Sequence, residues 1–320
     1  MRQIELPETS LKSSVLGMGC ASLGSRYGAR AGLQALEAAF DSGITWFDVA
    51  PAYGAGEAEP ILGRFLQGRR EHVHVCTKVG LAAPHRGVVR KLLLPLARPV
   101  VARLKGLRGK IRQSGTTKNV SLPLSAELIE TSITRSLARL RTDRVEVFAL
   151  HDPNPDDLAR DDVLRALERV VARGQARHVA VAGELDAALR GAASQAFAVI
   201  QTADDPLTDP LPRVRTAANR PIATISHSVL GTGGTRAQLA AKIAQAPGAH
   251  AQVEAAGFEG SPSKVAAQLL LARAFHANGN GPVLASMFGA GHLQDAVAAT
   301  VLGPSACEKA HSLVKHLLEV

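Results

Sequence analysis

The chain has 320 residues, 46% of them hydrophobic and 20% charged, a balance that supports a sizeable core and excludes a wholly disordered chain. Its formal net charge is +9, yet ten basic residues and no Asp or Glu fall between Leu81 and Val120, so the remainder is nearly neutral and a uniformly basic surface is excluded. Three widely spaced cysteines, Cys20, Cys76 and Cys307, with no CxxC pair or nearby His cluster, argue against disulfides and structural zinc, and no metal site is expected.

The opening MRQIELPETS lacks the apolar core of a signal peptide, and no apolar run is long enough to span a bilayer, which predicts a cytoplasmic protein. The first strand is expected from Ser14 to Gly19, followed by a helix from Arg30 to Ser42. A second strand, Thr45 to Asp48, leads to a helix from Glu57 to Gln67, and a third strand runs from His72 to Lys78. The basic stretch from residue 81 to 120 then lengthens the next connection well beyond ordinary loop lengths. Apolar periodicity in VVRKLLLPLARPVVARLKGL predicts one or two short helices broken by Pro95 and Pro99, standing over the active-site face.

A helix from Ser125 to Leu140 and a strand from Val145 to His151 come next. Asp161 and Asp162 then suit the positive N-terminus of a helix from Arg160 to Arg173. Three more strands are expected, from His178 to Gly183, Phe197 to Thr202 and Pro221 to Ser228. A helix from Pro262 to Asn278 and an eighth strand from Pro282 to Phe288 complete the pattern. Strand and helix in alternation leave a closed barrel or an open doubly wound sheet.

Reactive side chains favour the barrel. Asp48, Lys78 and His151 each end an expected strand, which is where β/α barrels carry their chemistry. An open dinucleotide-binding sheet would want GxGxxG after its first strand, and LGMGCASLG has the wrong spacing. The fold class is therefore α/β, a (β/α)8 TIM barrel, read as one domain over 1–320 with the basic insertion after the third strand.

Reducing a carbonyl requires a proton donor at its oxygen, a cation to stabilise the resulting anion, a partner to hold that cation and a group to orient the carbonyl. Tyr53, Lys78, Asp48 and His151 supply these types in that order. GITWFDVAPAYGAGEAEPILG, VCTKVG and SITRSLARLRTDRVEVFALHDPNP resemble the segments that bear the tetrad of the aldo-keto reductase family. The resemblance implies Tyr53 as general acid, Lys78 as the group that lowers the phenol's pKa, Asp48 as the partner of Lys78, and His151 facing the carbonyl.

The same resemblance implies NADP(H) or NAD(H) as cofactor, in a pocket that departs from the family pattern. A Ser-Asn pair that ends the family's fifth strand corresponds to Ala182 and Gly183, while Gln201 matches the glutamine that contacts the nicotinamide amide. His227 takes the place of the stacking aromatic in HSVLG, where the family often has YSPLG, and Ser228 and Leu230 lie in the same cofactor loop. PVLASMFGAGHLQDAV aligns with the stretch that binds the adenosine end. There Phe288 replaces the 2′-phosphate cation and Ala296 an Asn, while His292 and Asp295 remain as polar contacts. Charge-assisted bonds of about 1.5–3 kcal/mol each would be lost with that cation, which argues against tight NADPH binding and leaves open NADH, weak NADPH binding, or a phosphate contact drawn from the basic segment 81–120.

These residues imply an enzyme that reduces an aldehyde or ketone, or oxidises the corresponding alcohol or sugar, with a small-molecule carbonyl as its partner. The alternative is a barrel with a degenerate cofactor pocket that acts as a non-catalytic binding or regulatory module. Nucleic acid is disfavoured as a partner of the basic segment, which lacks the interleaved aromatics that stack on bases. Nothing in the sequence sets the oligomeric state or substrate.

Overall fold

A computed structural model describes residues 1–83, 119–231 and 233–319. Expectations for the basic insertion and its helices around Pro95 and Pro99 fall almost entirely outside these residues.

The chain opens with β1 (Gln3–Leu6) and β2 (Leu11–Ser14), which pair antiparallel. Eight parallel strands follow: β3 (Leu16–Gly19), β4 (Trp46–Asp48), β5 (His74–Val79), β8 (Val145–His151), β9 (Ala176–Ala182), β10 (Val199–Ala203), β11 (Ala223–His227) and β12 (Val283–Ala285). They pair in chain order, and β12 returns to β3 through Val283 and Leu16, closing the barrel. Two short strands, β6 (Leu81–Ala82) and β7 (Val120–Ser121), form an antiparallel pair beyond the end of β5. The fold is the expected TIM barrel in a single domain.

Barrel strands are covered on both faces, so they read as apolar runs. VEVFALH in β8 is buried from Val145 to Leu150. Inward residues on alternate positions, including Trp46, Cys76, Val147, Ala180, Ala223 and Ile225, form the inner cluster. Trp46 is the largest side chain of this cluster and is fully buried. A Cβ on Gly17 would sit 2.6 Å from Leu284 Cδ2 and 3.1 Å from Trp46 Cδ1, so a larger residue there would have to displace the leucine and crowd the indole.

The expected first strand, Ser14 to Gly19, is divided. Leu11–Ser14 turns back on Gln3–Leu6, and Leu6 and Leu11 join the inner cluster, closing the end of the barrel opposite the strand ends that carry Asp48, Lys78 and His151. The imidazoles of His178 and His74 hydrogen-bond the Thr9 and Lys12 carbonyls, each at 2.8 Å, and fix this plug to β9 and β5. Its strands have four residues each, too few for their alternation to stand out in sequence.

Helices line the outside through their apolar stripes. Ala126–Leu140 buries Ile129, Ile133, Leu137 and Leu140, and Ser125 caps it by accepting a 3.1 Å hydrogen bond from the Leu128 N–H. Such a cap contributes about 1 kcal/mol. Ala58–Phe65 packs against it so closely that a Cβ on Gly63 would collide with the Arg139 carbonyl. Helices Leu185–Ala193, Pro210–Ala218, Thr235–Gln245, Ala249–Ala255, Ala290–Ala299 and Pro304–Leu318 add to those expected from sequence. Among the described residues, no helix is long and apolar enough to cross a membrane.

Candidate active site

Asp48 and His151 are the last residues of β4 and β8, and Lys78 is one residue from the end of β5. All three therefore emerge at the same mouth of the barrel. Tyr53 follows β4 in a 3-10 turn, Tyr53–Gly56, that bends back over the mouth. This turn depends on Gly54, whose φ of 60° lies in the left-handed region and whose missing Cβ would otherwise meet the Leu23 carbonyl.

Lys78 Nζ donates to Asp48 Oδ1 at 2.5 Å and to the Val49 carbonyl at 3.2 Å. The ion pair is almost wholly buried, with Lys78 1% and Asp48 3% exposed. Lys78 Nζ lies 5.1 Å from the centre of the Tyr53 ring. Tyr53 in turn meets His151 edge-on, with ring centres 5.8 Å apart and planes at 85°.

This packing sets the protonation states. Burial opposes the Lys78 charge, but Asp48 outweighs it and the ammonium is held above its ordinary range. Burial pushes the Tyr53 phenol up to about 12, against the downward pull of Lys78. The family resemblance implied a phenol lowered by Lys78. That pull is present, but withdrawal from water exceeds it, so the phenol keeps its proton across the neutral range. Burial, then Lys78 and His227, lowers His151 to about 3, which leaves a neutral imidazole. Cys20 is also buried at this mouth and its thiol is pushed up, so it is no nucleophile there.

The His151 shift has a consequence for stability. The unfolded chain protonates this histidine below its ordinary value of 6.5, whereas the folded chain resists protonation down to about 3. Folding stability is therefore lost as pH falls through this window. His151→Gln is expected to flatten that part of the acid-unfolding curve, as followed by urea denaturation at stepped pH. An unchanged slope would refute a desolvated, neutral imidazole.

A cavity of about 830 Å3 opens at the tetrad and crosses the mouth towards the ends of β11 and β12. This volume is within the range of about 300–1,000 Å3 common to small-molecule and cofactor sites. Asp48, Tyr53, Lys78 and His151 border one side. Gln201, His227, Ser228, Leu230, His292 and Asp295 border it as well, so the structure brings these sequence candidates to one space. Phe288 is the exception. Strand β12 ends at Ala285, short of the expected Phe288, and the Phe288 ring is buried against Tyr27, with centres 4.8 Å apart and planes at 16°.

Other cavity residues were not legible in the sequence. Arg236 and Lys264 lie near the starts of the helices Thr235–Gln245 and Pro262–Ala277, and Asp152 and Glu184 follow β8 and β9. No spacing marks them, because they are scattered along the chain and meet only through barrel closure. A second cavity of about 250 Å3 adjoins the first at His151 and Asp152, with Ser121, Asn154 and Asp157 among its walls. It offers hydrogen-bonding groups beside the imidazole.

Comparison with known proteins places these features in context. Over 197 aligned residues, the chain is 33% identical to a D-threo-aldose 1-dehydrogenase from a Pseudomonas species, covering 57% of this chain and 53% of that protein. It is 29% identical over 191 residues to an L-galactose dehydrogenase from Arabidopsis thaliana, covering 57% of this chain and 50% of that protein. The match thus spans about half the length of these curated relatives. An aldo-keto reductase from Bacillus halodurans, solved in its holo form, shares the fold with a TM-score of 0.68 at 19% identity, over 99% of this chain and 96% of that one. The family model described as Aldo/keto reductase family matches residues 15–315.

Proposed function

Because this chain belongs to the Aldo/keto reductase family, we propose that it is an NAD(P)-dependent oxidoreductase that reduces a small hydroxylated aldehyde or ketone, or oxidises the corresponding alcohol or sugar. The observation that carries this reading is the buried Lys78–Asp48 ion pair beside the Tyr53 ring, with the neutral His151 imidazole edge-on to the same ring.

The cavity beside this constellation fits a nicotinamide dinucleotide in size and donor chemistry. Gln201, 3% exposed, would hold the carboxamide, and the flat face of His227 would lie against the ring, while Ala182 and Gly183 add no side-chain hydrogen bond. Hydroxyls of Ser228 and Ser286 suit the phosphate-bearing part. When bound, the reduced cofactor supplies the hydride.

The protein's own contribution is proton management. Tyr53 Oη–H gives its proton to the carbonyl oxygen as that oxygen gains negative charge, and the bond electrons remain on Tyr53 as phenolate. The Lys78 ammonium stabilises this phenolate, and Asp48 holds Lys78 in place. His151, neutral, donates a hydrogen bond that orients the carbonyl before transfer. In the oxidation direction the phenolate takes the alcohol proton, and the same three neighbours serve in reverse.

The relatives named for aldose and galactose oxidation support a hydroxylated substrate, as does the polar second cavity beside His151. Purified protein given reduced cofactor and a panel of short hydroxyaldehydes and aldoses should consume the cofactor, read as loss of nicotinamide absorbance. Cofactor binding with no consumption against any carbonyl, and no formation of reduced cofactor from any alcohol or sugar, would favour a non-catalytic binding module.

A further inference from the structure

We propose that Cys76 is a positioning residue of the cofactor site: its thiol donates to Gln201 Oε1 across the barrel, so that Gln201 turns Nε2 to the ligand and reads the oxygen of the nicotinamide carboxamide, not its amino group. This inference rests on the nicotinamide-dependent reading of the cavity.

Barrel closure brings the two side chains together. Cys76 lies two residues before Lys78 on β5, in register with Asp48 on β4, and belongs to the inner cluster. Gln201 lies on β10, with β8 and β9 in between. Those two strands contribute Ala149 and Ala182 to the same cluster, and such small side chains leave room for the thiol and the amide to meet. Cys76 Sγ approaches Gln201 Oε1 at 3.8 Å, within the reach of a weak S–H donor.

Both partners are withdrawn from water, with Cys76 fully buried and Gln201 3% exposed, so solvent offers neither a replacement. Burial and then the Asp48 charge push the Cys76 thiol well up, and the sulfur keeps the proton it donates. Asp48 does not take that proton. Its Oδ1 is engaged by Lys78, and its Oδ2 has no hydrogen-bond partner among the described residues. A side-chain amide has its acceptor at one end and its donors at the other. With Oε1 facing the thiol, Nε2 is the end that Gln201 offers to the cavity it borders.

The rest of the wall makes this orientation matter. Gln201 is the only Asn or Gln side chain among the described residues that border the cavity. Ala182 adds no polar side-chain group, and the Gly183 N–H already donates to the Gln201 carbonyl at 3.1 Å. Which end of a carboxamide is recognised here therefore depends on which way Gln201 is turned, and Cys76 is the side chain that turns it.

Calorimetric titration of the full chain with NAD⁺ and NADP⁺, each beside its 3-acetylpyridine analogue, tests this. The analogue keeps the carbonyl oxygen and carries a methyl group in place of the amino group. Wild type should bind parent and analogue within about threefold, because the amino group is not read. Cys76→Val removes the donor and frees Gln201 to offer Oε1 to the amino group, so the analogue should become about tenfold weaker than its parent. In Gln201→Leu both should weaken, with no difference between them. A larger difference already present in wild type would overturn the proposal, since Gln201 would then accept from the amino group. An unchanged ratio in Cys76→Val, or a difference that persists in Gln201→Leu, would overturn it too. These results leave the oxidoreductase reading intact, whereas binding of no dinucleotide by the wild type would defeat that reading as well.

Discussion

Tyr53→Phe is expected to lower carbonyl-reduction turnover by about 10²- to 10⁴-fold, the usual contribution of a positioned general acid. Only the hydroxyl is removed. The ring that packs edge-on against His151 remains, as does the surface over Lys78, so the cavity keeps its shape. Cofactor affinity should stay within about twofold of wild type, because the lost proton acts only in the transition state. The variant separates two accounts of the site. A fall in kcat with unchanged cofactor affinity fits Tyr53 as proton donor, whereas a loss of affinity with retained turnover would assign the phenol to binding.

The other large effect is expected at Lys78. Lys78→Met keeps length and apolar bulk but leaves Asp48, 3% exposed, without its cation. Its second carboxylate oxygen, Oδ2, is buried and has no hydrogen-bond partner among the described residues, so little there is available to compensate. Breaking a buried pair in this way costs about 3–5 kcal/mol of folding stability. Asp48→Asn combined with Lys78→Met removes the stranded charge and should recover part of this loss, while turnover stays low in both. Urea denaturation of the two variants and wild type measures the difference. A double variant no more stable than Lys78→Met alone would show that the buried charge is not the cause.

The barrel was legible because its strands are buried on both sides and therefore read as apolar runs between helical periods, as in VEVFALH of β8. The plug was not, because Gln3–Leu6 and Leu11–Ser14 are short and gain their burial only by covering the inner cluster around Trp46. At the mouth, Asp48, Lys78 and His151 could be found from their places at strand ends, and Tyr53 from its residue type and from the resemblance of its segment to the family's. Arg236 and Lys264 could not, since what links them is a cavity wall and not a sequence interval. Phe288 shows the reverse limit. The resemblance implies a cofactor position for it, but β12 ends at Ala285 and the Phe288 ring stacks on Tyr27. The protonation state of Tyr53 was also hidden from sequence, because it depends on the balance between burial and Lys78.

The same balance keeps the phenol protonated at neutral pH. A protonated phenol, a charged lysine and an uncharged imidazole coexist there because burial affects each of them differently. Asp48 is the main group that keeps the lysine charged against that burial, which is why stability and turnover are expected to fall together when the pair is broken.

Isotope transfer tests the central claim most directly. Reduced cofactor carrying deuterium at its hydride-donating carbon is incubated with an aldose or short hydroxyaldehyde, and the product alcohol is examined by mass spectrometry. One deuterium per product molecule, at the former carbonyl carbon and with no exchange into water, is the result expected if the tetrad serves direct hydride transfer. Unlabelled product, or label lost to solvent, would contradict it.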